Sequence, residues 1–371
     1  MIIKEIDGNT FNEFANSHIL KSFYQTKEYG ELMEHSEFST MYIGAYEDDV
    51  MVAGSLILYK TIGPSMKYGY APRGFLVDYY NHEQLAKFTK AVKDYFFKKG
   101  YAFIKINPEI TYSTIDFDSK SKVINTRNKE LIDELKSLGY DKLKDNLYFE
   151  SLLPKYTPVI YLPTYDFDLL DKSIIENAKD AELGGLRLIH GKIEDIPTLY
   201  SFVEDKNNKT EAYYRLFYEI FSKSDMVDLI LVELNYDNYV KYLQKQYIYE
   251  QERNDKINRD FEENPKNIDL YNQKMKSDQL VAKISSQIAI SNTKMQENHT
   301  KEIMGAAFVI KHEGRVTIYI TGNKEDFAEI DVKTFMFYKI IESYKNANYL
   351  FLDLYGITAD FTDTIPYKEL K

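Results

Sequence analysis

Met41-Tyr-Ile-Gly-Ala-Tyr-Glu-Asp-Asp-Val-Met-Val-Ala-Gly-Ser-Leu-Ile-Leu-Tyr59 is the stretch that decides the fold class. Two β-rich runs, Met41–Tyr46 and Met51–Tyr59, flank the acidic turn Glu47-Asp-Asp, and a connection that short joins only antiparallel strands. Downstream, Glu83 to Lys99 places Leu85, Phe88, Ala91 and Tyr95 at helical spacing and stops at Gly100. Tyr101-Ala-Phe-Ile-Lys-Ile is a further strand closed by Asn107-Pro108, and Lys129–Leu138 is a helix closed by Gly139. Helices layered on a mixed sheet make an α/β (α+β) architecture.

The same grammar returns further along. Ile193–Asn207 reads as helical and Met226–Leu234 as a buried strand; Met304–Lys311 with Arg315–Thr321 forms a hairpin. Val332–Lys345 is a helix and Tyr349–Tyr355 a last strand. Hairpin, helix, strand thus occurs twice, and 371 residues exceed what one core usually serves. The expectation is two similar units, residues 1–155 and 156–371, joined near Pro154–Pro163 and sharing a cleft.

Residues 236–301 interrupt the second unit with a different pattern. Val240, Leu243, Tyr247, Ile257 and Phe261 form an a/d stripe with Glu250 and Asn254 in the intervening seats; Val281, Ile284, Ile288 and Met295 form another. Pro265 separates the two. This spacing predicts an antiparallel helical hairpin, roughly 40 Å long at 1.5 Å per residue. Each helix has one apolar stripe, enough to bury its partner, so the expectation is a projecting arm with a private core.

Composition narrows the chemistry. There is no cysteine, which removes disulfides, thiol nucleophiles and thiolate metal sites, and the six histidines are scattered without ligand spacing. A formal charge of −11 argues against coating duplex nucleic acid by bulk electrostatics, leaving room only for a local basic surface. The start, Met1-Ile-Ile-Lys-Glu-Ile-Asp, has neither a basic n-region nor a long apolar h-region, and the run near Met226–Val232 is far short of a membrane span. The expectation is a cytoplasmic protein that touches a membrane only from outside.

Four motifs then occur in order. They are Ser22-Phe-Tyr-Gln-Thr-Lys-Glu-Tyr-Gly-Glu-Leu, Tyr70-Ala-Pro-Arg-Gly-Phe-Leu-Val-Asp-Tyr, Ile104-Lys-Ile-Asn-Pro-Glu-Ile and Tyr355-Gly-Ile-Thr-Ala-Asp-Phe-Thr. With the helical insertion, they resemble the Fem family of aminoacyl-tRNA-dependent peptidyltransferases of peptidoglycan bridges. The resemblance implies two acetyltransferase-like (GNAT) subdomains with the arm inserted in the second. It also implies a groove for a UDP- or lipid-linked muramyl pentapeptide, and aminoacyl-tRNA as co-substrate with no other cofactor. Pairing with a second copy or another Fem protein is left open. The pentapeptide's amine attacks the aminoacyl ester, which requires positioning and oxyanion donors rather than a covalent intermediate.

Carried over residue by residue, the resemblance points to Tyr29, Arg73, Asp78, Lys209, Tyr213 and Tyr319 as substrate-binding positions. Arg73 and Asp78 are expected to pair across their turn. The two apolar faces of Val316-Thr-Ile-Tyr-Ile leave open whether Tyr319 faces groove or core. The chain also departs from the family pattern. Met33 stands where many members have a phosphate-binding lysine, and Asn107 stands in place of an aspartate; an amide only orients a group or caps a turn. Lys209 replaces an arginine and loses its bidentate fork. The family's Phe-Lys-x-Gly-Phe motif does not follow Tyr355 before Lys371. These departures favour altered substrate contacts. They also admit a catalytically silent paralogue that binds precursor or partner. A plain acyl-CoA N-acetyltransferase is disfavoured, because Glu182-Leu-Gly-Gly-Leu is the only glycine pair resembling a pyrophosphate loop.

Overall fold

The computed structural model describes residues 1–63, 65–116, 121–143, 153–154, 156–206, 208–324 and 330–356. Two separate sheets organise the chain. The first comprises β1 (Ile2–Ile6), β2 (Ser39–Glu47), β3 (Val50–Ile62), β4 (Met66–Ala71) and β5 (Tyr101–Ile106) in spatial order 1-2-3-4-5. The second comprises β8 (Val159–Tyr161), β9 (Leu186–His190), β10 (Val227–Asn235), β11 (Lys301–His312), β12 (Arg315–Asn323) and β13 (Phe351–Asp353) in order 8-13-12-11-10-9. β6 (Ser113–Ile115) and β7 (Lys122–Ile124) form a small separate ribbon. Part of the stretch expected as a linker is therefore a strand, because β8 pairs with β13.

Each sheet is built the same way. In the first, α1 (Gly8–Ser17) and α2 (Lys27–Glu34) link β1 to β2, three antiparallel strands follow, and α3 (His82–Lys98) crosses to β5, which is parallel to β4. Past β7, α4 (Thr126–Ser137) follows, and α5 (Lys172–Leu183) precedes the second sheet. There α6 (Ile196–Val203) and α7 (Glu211–Ser222) link β9 to β10, and after β11 and β12, α10 (Val332–Asn346) crosses to β13, parallel to β12. Parallel pairing needs such a crossover, which is why a helix recurs at the same point.

Local chemistry explains the turns. Asp48 and Asp49 both have positive φ (47° and 63°), the backbone of a two-residue type I′ turn between β2 and β3. Glu313 (46°) and Gly314 (82°) do the same between β11 and β12. The crossover helices both end in a left-handed residue, Gly100 after α3 (78°) and Asn348 after α10 (61°).

In the second sheet, α8 (Tyr236–Glu263) and α9 (Ile268–Gln296) stand in place of a β10–β11 turn. They form the expected antiparallel hairpin. Asn254, one of the polar seats, is buried; its amide donates to Ser277 Oγ at 3.1 Å and Asp278 Oδ1 at 2.7 Å. The arm's core is not private at its root. Tyr236, Tyr239, Leu243 and Ile284 belong to one buried cluster with Phe335 and Ile340 of α10 and Val316 of β12, and Ile288 packs against it. The stripe expected to serve the arm alone is thus shared with the main core, while Ile248, Tyr249, Ile268 and Tyr271 further out are exposed.

Candidate functional site

A tyrosine cluster lies where the two halves meet. Thr26 and Thr210 are the N-caps of α2 and α7, accepting hydrogen bonds from the backbone N–H of Tyr29 (3.1 Å) and Tyr213 (3.3 Å). Equivalent caps thus set two equivalent tyrosines on neighbouring helices. The Tyr213 hydroxyl meets that of Tyr319 at 3.3 Å, and Tyr24 meets Tyr355 at 3.0 Å, joining the first half to the second. The Tyr319 and Tyr355 rings are 5.2 Å apart, those of Tyr24 and Tyr29 5.0 Å. The ammonium of Lys209 sits 4.5 Å over the Tyr213 ring from the exposed side.

Burial governs the electrostatics. It raises the phenol pKa of Tyr24, Tyr29, Tyr213, Tyr319 and Tyr355, and neighbouring phenols push several further the same way. Tyr70, raised to about 12 by burial, lies beside Asn107, and its hydroxyl makes no hydrogen bond of ordinary geometry among the described residues. These groups keep their protons near neutral pH, so they act as donors and not as bases.

Beside the phenols runs a charge chain that crosses the halves. Arg73 donates through Nη2 to the Pro154 carbonyl at 2.9 Å, and its Nε lies 3.9 Å from Glu109. Glu109 also binds Arg315, whose Nη2 is 3.6 Å from Asp353. Asp353 is buried, which raises its pKa against the pull of Arg315, and it accepts the Tyr355 backbone N–H at 2.8 Å. Asn107 Oδ1 accepts the Arg73 N–H at 2.9 Å, holding a turn in which Arg73 has φ 55°.

Of the six residues expected from sequence, Tyr29, Lys209, Tyr213 and Tyr319 therefore converge, with Arg73 at the margin through its influence on Tyr70 and Tyr355. Asp78 does not join them. It is exposed and accepts from the Tyr80 N–H at 2.9 Å, and the carboxylate near Arg73 is Glu109, so the expected Arg73–Asp78 pairing is overturned. Met33 is half-buried against Phe11 and Leu58, a wall residue. Tyr24, Tyr70, Glu109, Arg315, Asp353 and Tyr355 were missed; of these, Tyr24, Tyr70, Glu109 and Tyr355 lay inside the quoted motifs. The expected position of the Phe-Lys-x-Gly-Phe motif, beyond Gly356, lies outside the described residues.

An open depression of about 520 Å³ lies at the root of the arm, lined by Pro197, Ser201, Phe202, Lys301, Glu302 and Lys324. β12 links the two places, carrying Arg315 and Tyr319 and ending at Asn323, just before Lys324.

Comparison with known proteins settles the family. The sequence model of the FemAB family matches residues 6–367, nearly the whole chain. The chain belongs to the FemAB family. Aminoacyltransferase FemA of Staphylococcus aureus strain bovine RF122 / ET3-1 is 23% identical over 378 residues, covering 98% of this chain and 89% of that protein. The FemA of strain MRSA252 is 22% identical over 376 residues with the same coverage. Among solved structures, a crystal structure of FemX superposes with a TM-score of 0.72 at 16% identity, covering 98% of this chain and 91% of that one. The fold is accordingly FemX-like, with the α8–α9 hairpin as described.

Proposed function

We propose that this FemAB protein transfers an amino acid from aminoacyl-tRNA to an amine of a peptidoglycan precursor's pentapeptide, as in bridge synthesis. The observation that carries the reading is the convergence of Tyr29, Tyr213, Tyr319 and Lys209 on one joint between the halves. The neutral amine attacks the ester carbonyl, a C–N bond forms, and the ribose oxygen leaves with the proton that nitrogen gives up. Protonated phenols suit hydrogen bonding to the tetrahedral oxyanion, and the exposed Lys209 suits capture of a diphosphate. Asn107 supplies no base, being an amide committed to the Arg73 turn. Glu109 and Asp353 are held by arginines. Rate enhancement therefore rests on positioning and charge stabilisation. The tRNA's acceptor end is assigned to the lysine-edged depression at the arm root, along β12 from the cluster.

The test is transfer of a radiolabelled amino acid from charged tRNA to purified precursor. Lys209→Ala is expected to raise KM by the equivalent of about 1–2 kcal/mol with kcat little changed, because a phosphate contact persists in ground and transition states. Tyr213→Phe is expected to lower kcat. Met33 and Asn107 favour one rival reading, a silent paralogue that binds precursor. Absence of transfer with glycine, alanine and serine alike, with precursor still bound in calorimetry, establishes that rival.

A further inference from the structure

One end of the first sheet combines exposed apolar side chains with lysine-rich sequence. The β3–β4 turn and the α3–β5 turn lie side by side there: the Lys67 N–H donates to the Gly100 carbonyl at 2.9 Å, and Lys67 aligns with Tyr101 across the parallel β4–β5 pair. Ile62 and Met66 face each other in the β3–β4 register and are 47% and 49% exposed. Phe103, stacked on Tyr68 at 5.7 Å, is 59% exposed, and Phe97, in the last turn of α3, is 83% exposed. α1 and α2 cover the inner part of this face, over Leu56 and Leu58, and leave this end bare.

Residues 59–70 and 95–106 together hold five lysines and no carboxylate, in a chain of net charge −11; Lys60, Lys67, Lys98 and Lys99 belong to this end, while Lys105 aligns with Tyr70 and lies over its ring nearer the cluster. The carboxylates near them come from other segments: Glu37 binds Lys60, Glu5 lies 3.1 Å from Lys99, and Asp94 precedes Lys98 by one helical turn. Insertable aromatic and aliphatic groups ringed by lysine, on an otherwise acidic protein, are complementary to an anionic bilayer surface. Among the described residues no helix is long and apolar enough to cross a membrane, so this end meets lipid by lying on it. We propose that this end of the first sheet is a docking surface for an anionic membrane. From Met66, β4 runs about 13 Å to Tyr70 in the tyrosine cluster, so docking here holds the cluster just above the headgroups. Resting on the function proposed above, this favours a lipid-linked precursor, whose diphosphate lies at that level, over a soluble nucleotide-linked one.

The chain contains no tryptophan, so Phe97→Trp introduces a single reporter. Its emission is expected to shift to the blue on adding vesicles of phosphatidylglycerol and phosphatidylcholine, and to stay unchanged with phosphatidylcholine alone. Leu169→Trp, equally exposed but on the second half, is expected to show no shift. In vesicle sedimentation Lys98→Glu with Lys99→Glu is expected to lower partitioning by about tenfold or more. No shift for Phe97→Trp, the same shift for Leu169→Trp, or partitioning indifferent to the lysine changes overturns the proposal. So does a blue, concentration-dependent emission without vesicles, which means a second copy covers this face. None of these readouts needs catalysis, so a protein that binds vesicles but transfers nothing retains the docking surface and loses only the enzymatic reading.

Discussion

After each crossover helix the two halves read almost the same words and put them to different use. Following left-handed Gly100 comes Tyr-Ala-Phe-Ile-Lys-Ile-Asn; following left-handed Asn348 comes Tyr-Leu-Phe-Leu-Asp-Leu-Tyr. Lys105 thus corresponds to Asp353, and Asn107 to Tyr355. Thr26 with Tyr29 corresponds in the same way to Thr210 with Tyr213. What is kept is what the backbone needs: a residue that tolerates positive φ, a cap hydroxyl, and an aromatic to pack. What has diverged is the chemistry facing the joint. The first half ends in an amide that braces the Arg73 turn, the second in a carboxylate and a phenol that enter the polar network. The second half also carries an arm where the first has the Asp48-Asp49 turn.

The arm gives the largest expected effect. Ile284→Asp sets a charge into the second sheet's core and is expected to cost about 3–5 kcal/mol by denaturant unfolding. Phe261→Ser, at the far end, should cost no more than about 1.5 kcal/mol. Equal costs would mean that the root is no more part of the core than the tip. Next, Arg315→Met strips the cation from Asp353 and Glu109, with an expected loss of about 3 kcal/mol that a second change, Asp353→Asn, recovers in large part. Lys105→Met, at the position equivalent to Asp353, should cost less than about 1 kcal/mol; a loss as large as that of Arg315→Met would erase the asymmetry between the halves. The third effect lies on the contact between them. His312, at the end of β11, is 3.1 Å from Asn16 of α1, and burial lowers its pKa to about 4, with Glu28 pulling it up and Lys21 down. Below pH 6.5 the unfolded chain takes up this proton and the folded one does not. Stability is therefore expected to fall as pH drops from about 6.5 to about 4, by up to about 3 kcal/mol. His312→Asn should remove that part of the slope; an unchanged slope would assign the acid sensitivity to other groups.

The strands and helices that carry strong periodicity were legible, because alternation and the 3.6-residue repeat are written in consecutive residues. Tyr319 shows where that stops. Ile318 pairs with Val309 and Ile320 with Phe308, so Tyr319 is the extra residue of a β-bulge. A bulge re-aims a side chain independently of alternation, which is why the strand's two apolar faces gave no answer. The polar network was illegible for a different reason. Glu109 and Arg315 are 206 positions apart and meet only because the sheets pack; by contrast Arg73 and Asp78, close in sequence, stay apart because the tight turn sends Asp78 to its own Tyr80 N–H. Tyr29, Tyr213 and Lys209 were reached through the family resemblance, and the caps Thr26 and Thr210 explain why the two tyrosines stand at equivalent helix starts.

Asn235 and Lys301 are paired neighbours in β10 and β11, so the sheet registers everything between them as a bend. Lengthening or shortening the hairpin by matched whole turns beyond Tyr247 and Ile284 would leave every strand register and the packed root where they are. In hereditary terms this makes the outer arm a segment of free length: insertions and deletions there change reach by about 5.4 Å per helical turn while the fold they grow from stays the same.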